Sequence, residues 1–223
     1  MSMSRQDTEL QVDVYSDVIC PWCYVGMKRF EAALTLLERP SHVTVAWRPF
    51  ELNPTMPVQG MDRKMYLEAK FGSAGAVEPM LDRVREAGQQ SGIAFAFDRI
   101  KKTPNTFNAH RLIRLAGLEG RQSRMVARLF RGYFEEGMDV SDPSTLAQAA
   151  NEAGIEQEDV AAWLASQEAA KEVRAEEQAG LQLGIRAVPY FSIEGRSGLS
   201  GAHPPSVLAE WLRQSSVMTT GPR

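Results

Sequence analysis

Apolar and polar residues alternate along Leu10-Gln11-Val12-Asp13-Val14-Tyr15-Ser16, the two-residue period of a strand. Gly26 to Glu38 then shows helical spacing, and Val43-Thr44-Val45-Ala46-Trp47-Arg48-Pro49-Phe50 returns to alternation until prolines at 49, 54 and 57 end it. A Pro- and Asn-rich linker, Glu51 to Gly60, leads into helical periodicity from 61 to 167. That stretch is punctuated by Gly72 to Gly75, Gly88 to Gly92, Pro104, Gly117 to Gly120, Gly137 and Pro143. Asp142-Pro143 marks a helix start, an N-cap acceptor followed by proline at N1. Glu168 to Leu183 reads as one helix stopped by Gly184. Pro189 to Glu194 reads as a strand, with a turn at Gly195 and a short second run to Gly201. A last helix is expected from Pro205 to Gln214, with Met218 to Arg223 frayed. The order is β-α-β, a helical block, then α-β-β-α, without repeats or low-complexity tracts.

At 223 residues and 43% hydrophobic, the chain has enough apolar surface for one substantial core, or one core with an inserted subdomain. A formal charge of −3 gives no electrostatic case for nucleic acid or an anionic membrane. The polar start, Met1 to Asp7, carries no apolar signal region, and no run approaches the length of a membrane span. Both cysteines, Cys20 and Cys23, belong to one motif, so none is spare for a structural disulfide of the secreted kind. A cytoplasmic location is expected.

Cys20-Pro21-Trp22-Cys23 falls between the first strand and first helix, with Cys20 at the N-cap or first turn. There the helix dipole and unpaired backbone N–H groups favour a thiolate. A Cys-x-x-Cys pair serves as a redox dithiol, as half of a zinc site, or as structural cysteines. Zinc wants four ligands, and His42, His110 and His203 are not spaced as a pair, so the motif points to redox. In that chemistry Cys20 attacks a substrate disulfide and Cys23, one turn inward, resolves the mixed disulfide. Pro21 suits N1, where its missing N–H has no partner, and Trp22 at the tip shapes the rim and shields sulfur.

Five segments carry a wider resemblance. They are Asp17-Val18-Ile19-Cys20-Pro21-Trp22-Cys23-Tyr24-Val25-Gly26, Trp47 to Pro54, Asn105-Thr106-Phe107-Asn108-Ala109-His110-Arg111, Val188-Pro189-Tyr190-Phe191 and Ser200-Gly201-Ala202. In this order, covering almost the whole chain, they resemble the FrnE branch of the DsbA-like family. The resemblance implies an α/β thioredoxin-like fold with a large α-helical insertion. The thioredoxin-like part would comprise 10–58 and 168–216, the helical subdomain 59–167, and flexible termini 1–9 and 217–223.

It also implies a cis Val188–Pro189 bond packed on the dithiol, with Val188 offering backbone groups to an extended substrate. Arg186-Ala187 departs from the Gly or Thr frequent in relatives and makes that rim bulkier and positive. Phe107, His110 and Arg114 share one helix face. The resemblance sets this helix across the substrate groove, with Asn105, Phe107 and His110 as candidate lining; a plain amphipathic helix with a satisfied histidine is the alternative. Asp17 reads either as a strand-end acceptor or cap, or as a carboxylate that takes a proton from Cys23 or raises thiol pKa. His203 stands where relatives often have glutamine, and no direct role is expected for it. Arg121, Arg124, Arg128 and Arg131 form a basic stripe. Glu152, Glu156, Glu158, Asp159, Glu168, Glu172, Glu176 and Glu177 supply acids for pairing with it across a solvated face.

The expected activity is that of a protein-disulfide oxidoreductase cycling Cys20–Cys23 without metal or other cofactor. Glutathione or another thiol would serve as electron donor or acceptor. Disulfide-containing proteins or small thiols are the expected partners, with the chain a monomer or homodimer and no nucleic-acid or membrane partner. The alternatives are a glutathione-dependent transferase or isomerase, of the kappa-class or hydroxychromene-carboxylate isomerase type, and a non-enzymatic redox-sensing or chaperone-like module. The transferase and isomerase relatives usually have serine in place of Cys20 and lack the second cysteine.

Overall fold

The computed structural model describes residues 10–39, 42–72, 74–155, 160–196 and 198–219. Strand β1 (Leu10–Ser16) pairs in parallel with β2 (Val43–Pro49), with Val12 opposite Val45 and Val14 opposite Trp47. On its other side β1 pairs antiparallel with β5 (Tyr190–Ile193), and β5 with β6 (Leu199–Ser200), giving the order β2-β1-β5-β6. A parallel neighbour requires a crossover, and helix α1 (Pro21–Thr35) provides it. Almost every residue of β1 is buried although its sequence alternates, because helices cover both faces of the sheet.

Helices α1 and α9 (Pro205–Thr219) pack together on one face, where Phe30 of α1 stacks on Phe191 of β5 at 5.3 Å. Helix α8 (Ala170–Gln182) covers the other face; a Cβ on Gly180 would lie 2.7 Å from the Tyr15 ring, so this close approach needs glycine. The last helix continues to Thr219, past the Gln214 that the apolar spacing marks, so 217–219 are helical rather than flexible. Residues 1–9 and 220–223 lie outside the described residues.

Between β2 and α8 the chain forms α2 (Arg63–Phe71), α3 (Ala74–Gln89), α4 (Phe107–Leu118), α5 (Gln122–Arg131), α6 (Pro143–Ala153) and α7 (Val160–Ala165). The Asp142 side chain accepts from the Ser144 N–H at the start of α6, the cap its sequence announces. Two features interrupt the expected helical run. A short antiparallel ribbon joins β3 (Met61–Asp62) to β4 (Lys102–Thr103), and a π-helical turn, Gly132–Glu136, extends α5. The outer edge of β2 is covered from this block: Gln122 of α5 accepts from the Trp47 N–H at 2.9 Å and donates to its carbonyl at 3.1 Å.

The inserted helices dock on α1 through aromatic rings. Tyr24, directly after Cys23, stacks on Phe130 at 5.2 Å, meets Phe95 edge-on at 6.0 Å and donates its hydroxyl to Glu135 at 2.5 Å. Phe97, Tyr133 and Phe134 complete the cluster.

Candidate active site

Cys20 is the N-cap of α1, with extended backbone (φ −89°, ψ 110°), and Pro21 occupies the first turn. The carbonyl of Cys20 accepts from the N–H groups of Cys23 and Tyr24 at 3.0 and 3.3 Å, which closes the turn and stacks the two cysteines. Both are free thiols. Cys20, 6% exposed, points its Sγ at the Val188 carbonyl 3.7 Å away, and Trp22 stands over the turn at 37% exposure. The Val188–Pro189 bond is cis. A Cβ on Gly26 would come within 2.8 Å of Pro189 Cγ, so glycine here lets α1 sit against that proline.

Cys23 is 1% exposed. Burial pushes its thiol well above the ordinary range, and hydrogen bonding to Cys20 adds to this. The neighbouring Asp17 backbone and Ser16 side chain pull the other way.

Asp17 is wholly buried. Its carboxylate accepts from the Leu52 N–H at 2.7 Å and the Ile19 N–H at 3.4 Å, and its Oδ1 lies 3.6 Å from His110 Nε2. Asp17 is therefore a loop acceptor whose carboxylate faces His110, while its backbone N–H faces Cys23. His110 is also buried, so it stands beneath the surface rather than on an open groove wall. Burial opposes its protonation, but the Asp17 carboxylate, with Glu51 and Glu177, outweighs that cost and raises its pKa.

Glu51 completes this group and is the residue that sequence reasoning passes over. Its side chain is 1% exposed; burial and the neighbouring Glu177 push its carboxyl up to about 7, against the pull of His110 and Arg174. Arg174 pairs with Glu51 and with Glu177, the latter at 2.9 Å, and Glu177 also accepts from the Glu51 N–H at 3.2 Å. A glutamate in a proline-rich linker reads as solvated. Its place in the Trp47-to-Pro54 signature was the available signal.

The other candidates sit around this group. Asn105 donates to the Met56 carbonyl at 2.8 Å and accepts from the Phe107 N–H at 3.0 Å, which ties the start of α4 to the β2 loop. Phe107 lies under the Arg174 guanidinium, 3.9 Å from ring centre to carbon. Arg186 donates to the carbonyls of Leu181 and Ile185 at the end of α8. His203 Nε2 meets the Ser200 carbonyl at 3.0 Å. Of the basic stripe, Arg128 pairs with Glu152 and Glu136, and Arg131 with Glu136. The acids of α8 pair elsewhere: Glu176 with Arg48 and Arg114, Glu177 with Arg174. Glu156, Glu158 and Asp159 lie outside the described residues.

A cavity of about 460 Å³ between α2, α3 and the 97–101 segment, floored by Leu67, Leu81 and Phe97, contains none of the predicted site residues. Among the described residues no cluster of three His, Cys, Asp or Glu side chains is arranged to hold a metal ion. No helix there is long and apolar enough to cross a membrane.

The sequence model described as a DSBA-like thioredoxin domain matches residues 11–213. A probable DsbA oxidoreductase from Streptomyces coelicolor is 33% identical, with a TM-score of 0.87 over 96% of this chain and 92% of that one. The cytosolic disulfide reductase DsbM from Pseudomonas aeruginosa, solved with GSH, is 20% identical with a TM-score of 0.64, covering 92% and 98%. A 2-hydroxychromene-2-carboxylate isomerase is 18% identical with a TM-score of 0.65, covering 94% of each chain. At those identities the last two comparisons show a shared fold.

Proposed function

The chain belongs to the DSBA-like thioredoxin domain family, and from that premise we propose that it is a thiol–disulfide oxidoreductase working through Cys20 and Cys23. The observation that carries this reading is the stacked pair of free thiols at the start of α1, the outer one directed at the Val188 carbonyl. An extended substrate lying along Val188 has its disulfide brought to Cys20 Sγ. Cys20 thiolate attacks, one substrate sulfur leaves as thiolate, and a Cys20–substrate mixed disulfide remains. Cys23 then attacks Cys20 Sγ, the second substrate thiol leaves, and the enzyme holds a Cys20–Cys23 disulfide. Two electrons have passed to the substrate. In the reverse direction the enzyme oxidises a dithiol.

Substrates in this reading are protein or small-molecule disulfides. The cycle needs no metal or nucleotide, and glutathione or a similar thiol restores the starting state. The GSH-bound Pseudomonas reductase supports that assignment and a cytoplasmic location. An isomerase or a non-catalytic sensor on the same fold has no observation here that favours it over the dithiol.

Replacing Cys20 by serine should abolish turnover of a small disulfide, whereas Cys23→Ser should accumulate mixed disulfides detectable as adduct mass. Unchanged turnover in Cys20→Ser would sink the assignment. Equilibration in glutathione buffers, with the Cys20–Cys23 state read by alkylation and mass, gives the potential and thus the direction of flow.

A further inference from the structure

We propose that Arg29 is a positioning residue that holds the substrate-binding backbone at Val188 in register with Cys20. The inference rests on the oxidoreductase reading, with an extended substrate lying along Val188, and names the side chain that favours such substrates. Sulfur and substrate strand belong to different elements: Cys20 caps α1, whereas Val188 leads into β5. The 3.7 Å between Cys20 Sγ and the Val188 carbonyl therefore depends on how α1 is tied to the β5–β6 hairpin.

Gly26, Arg29 and Phe30 make that tie from one face of α1, at helical spacing i, i+3 and i+4. A Cβ on Gly26 would come within 2.8 Å of Pro189 Cγ, and Phe30 stacks on Phe191 at 5.3 Å. Both contacts are apolar and press the helix onto the hairpin without fixing a direction. Arg29 supplies the direction. Its Nη1 donates to the Ala202 carbonyl at 2.7 Å and its Nε to Ser91 Oγ at 3.3 Å. A guanidinium holds these donors in one rigid plane, and its charge strengthens each bond.

The Ala202 end leads back to the dithiol. Gly201, the preceding residue, donates its N–H to the Pro189 carbonyl at 2.8 Å, and Ser200 pairs with Tyr190 in the sheet. Arg29 thus reaches Pro189 through two bonded backbone groups, one residue from the carbonyl that faces Cys20. The Ser91 end leads to the inserted helices, where Ser91 Oγ donates to the Ala87 carbonyl of α3 at 2.8 Å. A cavity of about 350 Å³ lies between Gln90 and Ser91 on one side and Pro204 and Pro205 on the other, and Arg29 lines it and spans its two sides. Dithiol helix, insertion and substrate strand therefore meet on one guanidinium. A small disulfide needs only the sulfur of Cys20. An extended peptide must also find the Val188 backbone where that sulfur can reach it.

The test compares kcat/KM for a disulfide within an extended peptide with kcat/KM for a small aromatic disulfide. Arg29→Met keeps the apolar stem and removes both donors. The ratio of peptide to small disulfide should fall about tenfold, the loss of one charge-assisted hydrogen bond, and the fall should lie in KM for the peptide. Arg29→Lys keeps the charge and a single donor but not the planar fork, so the ratio should fall about threefold. Amide hydrogen exchange at Gly201 should quicken in Arg29→Met. An unchanged ratio, equal slowing of both substrates, or wild-type exchange at Gly201 overturns the proposal, since a merely structural loss slows both disulfides alike. Should Arg29→Met fail to fold, Arg29→Lys decides, and a wild-type ratio there overturns it. Absence of turnover for either disulfide in the wild type would instead overturn the oxidoreductase reading.

Discussion

The inserted helices meet the thioredoxin-like sheet along two seams beside the dithiol, and the two are built from opposite chemistry. One is dry: Tyr24 on Phe130, Phe134 and Phe95. The other is ionic: Asp17 and Glu51 facing His110, with Arg174 and Glu177 behind. Apolar burial and ring stacking are favourable whatever the pH. A buried ionic group contributes little net stability, because desolvation offsets most of the attraction. Its value lies in responding to a proton. The dry seam fixes where α1 stands, and the ionic seam gathers the groups whose pKa the fold shifts.

The largest effect should therefore come from the dry seam. Tyr24→Ala removes a buried ring that touches three others and should cost about 3–5 kcal/mol, read by denaturant unfolding. Tyr24→Phe keeps the stack and loses only the bond to Glu135, so it should cost about 1 kcal/mol. Equal losses in the two variants would mean that the hydrogen bond, and not the rings, holds this seam.

The ionic seam should show itself in pH dependence. The Glu51 carboxyl ionises at about 7 in the fold, against 4.5 ordinarily. Between those values the unfolded chain has lost this proton and the folded chain keeps it. The group's contribution is thus fully present below about 4.5 and is lost as pH rises through about 7. His110, also raised, acts with the same sign: its contribution is present below 6.5 and fades above its folded value. Glu51→Gln keeps the shape and deletes the titration. The stability gap between wild type and Glu51→Gln should shift against the wild type by on the order of 2 kcal/mol from acid to neutral pH, after allowing for screening by the half-exposed Arg174. A gap constant with pH would show that Glu51 does not change charge there.

The two seams also differ in how far the sequence reveals them. Strand β1, the turn at Cys20 and Pro21, and the strand after Pro189 are legible because alternation, a proline at N1 and a strand-opening proline are local signals. The cap at Asp142 is legible for the same reason. The ribbon of Met61–Asp62 with Lys102–Thr103 is too short to have a period, and its pairing is non-local. Cys20, Cys23 and Pro189 can be picked out as a redox constellation, and His110 as a helix-face histidine. That His110 is buried against Asp17, and that Glu51 is enclosed at all, follows only from the meeting of four chain segments. Charge in a linker looks solvated until tertiary structure covers it.

The smallest effect belongs to an ion pair outside both seams. Lys28 and Glu31 lie on α1, the helix that carries the dithiol, with Nζ and Oε2 only 3.0 Å apart. That is closer than the 3.6 Å between His110 and Asp17. Were separation decisive, the surface pair would matter more. Exposure decides instead: water and salt screen Lys28–Glu31, and ordering two long side chains offsets the rest, so Lys28→Ala should cost less than about 1 kcal/mol. The small loss should shrink further in high salt, while the pH-dependent gap at Glu51 should persist because its carboxyl is enclosed. A salt response as strong at Glu51 as at Lys28 would mean that solvent reaches the ionic seam, and the contrast between the seams would fail.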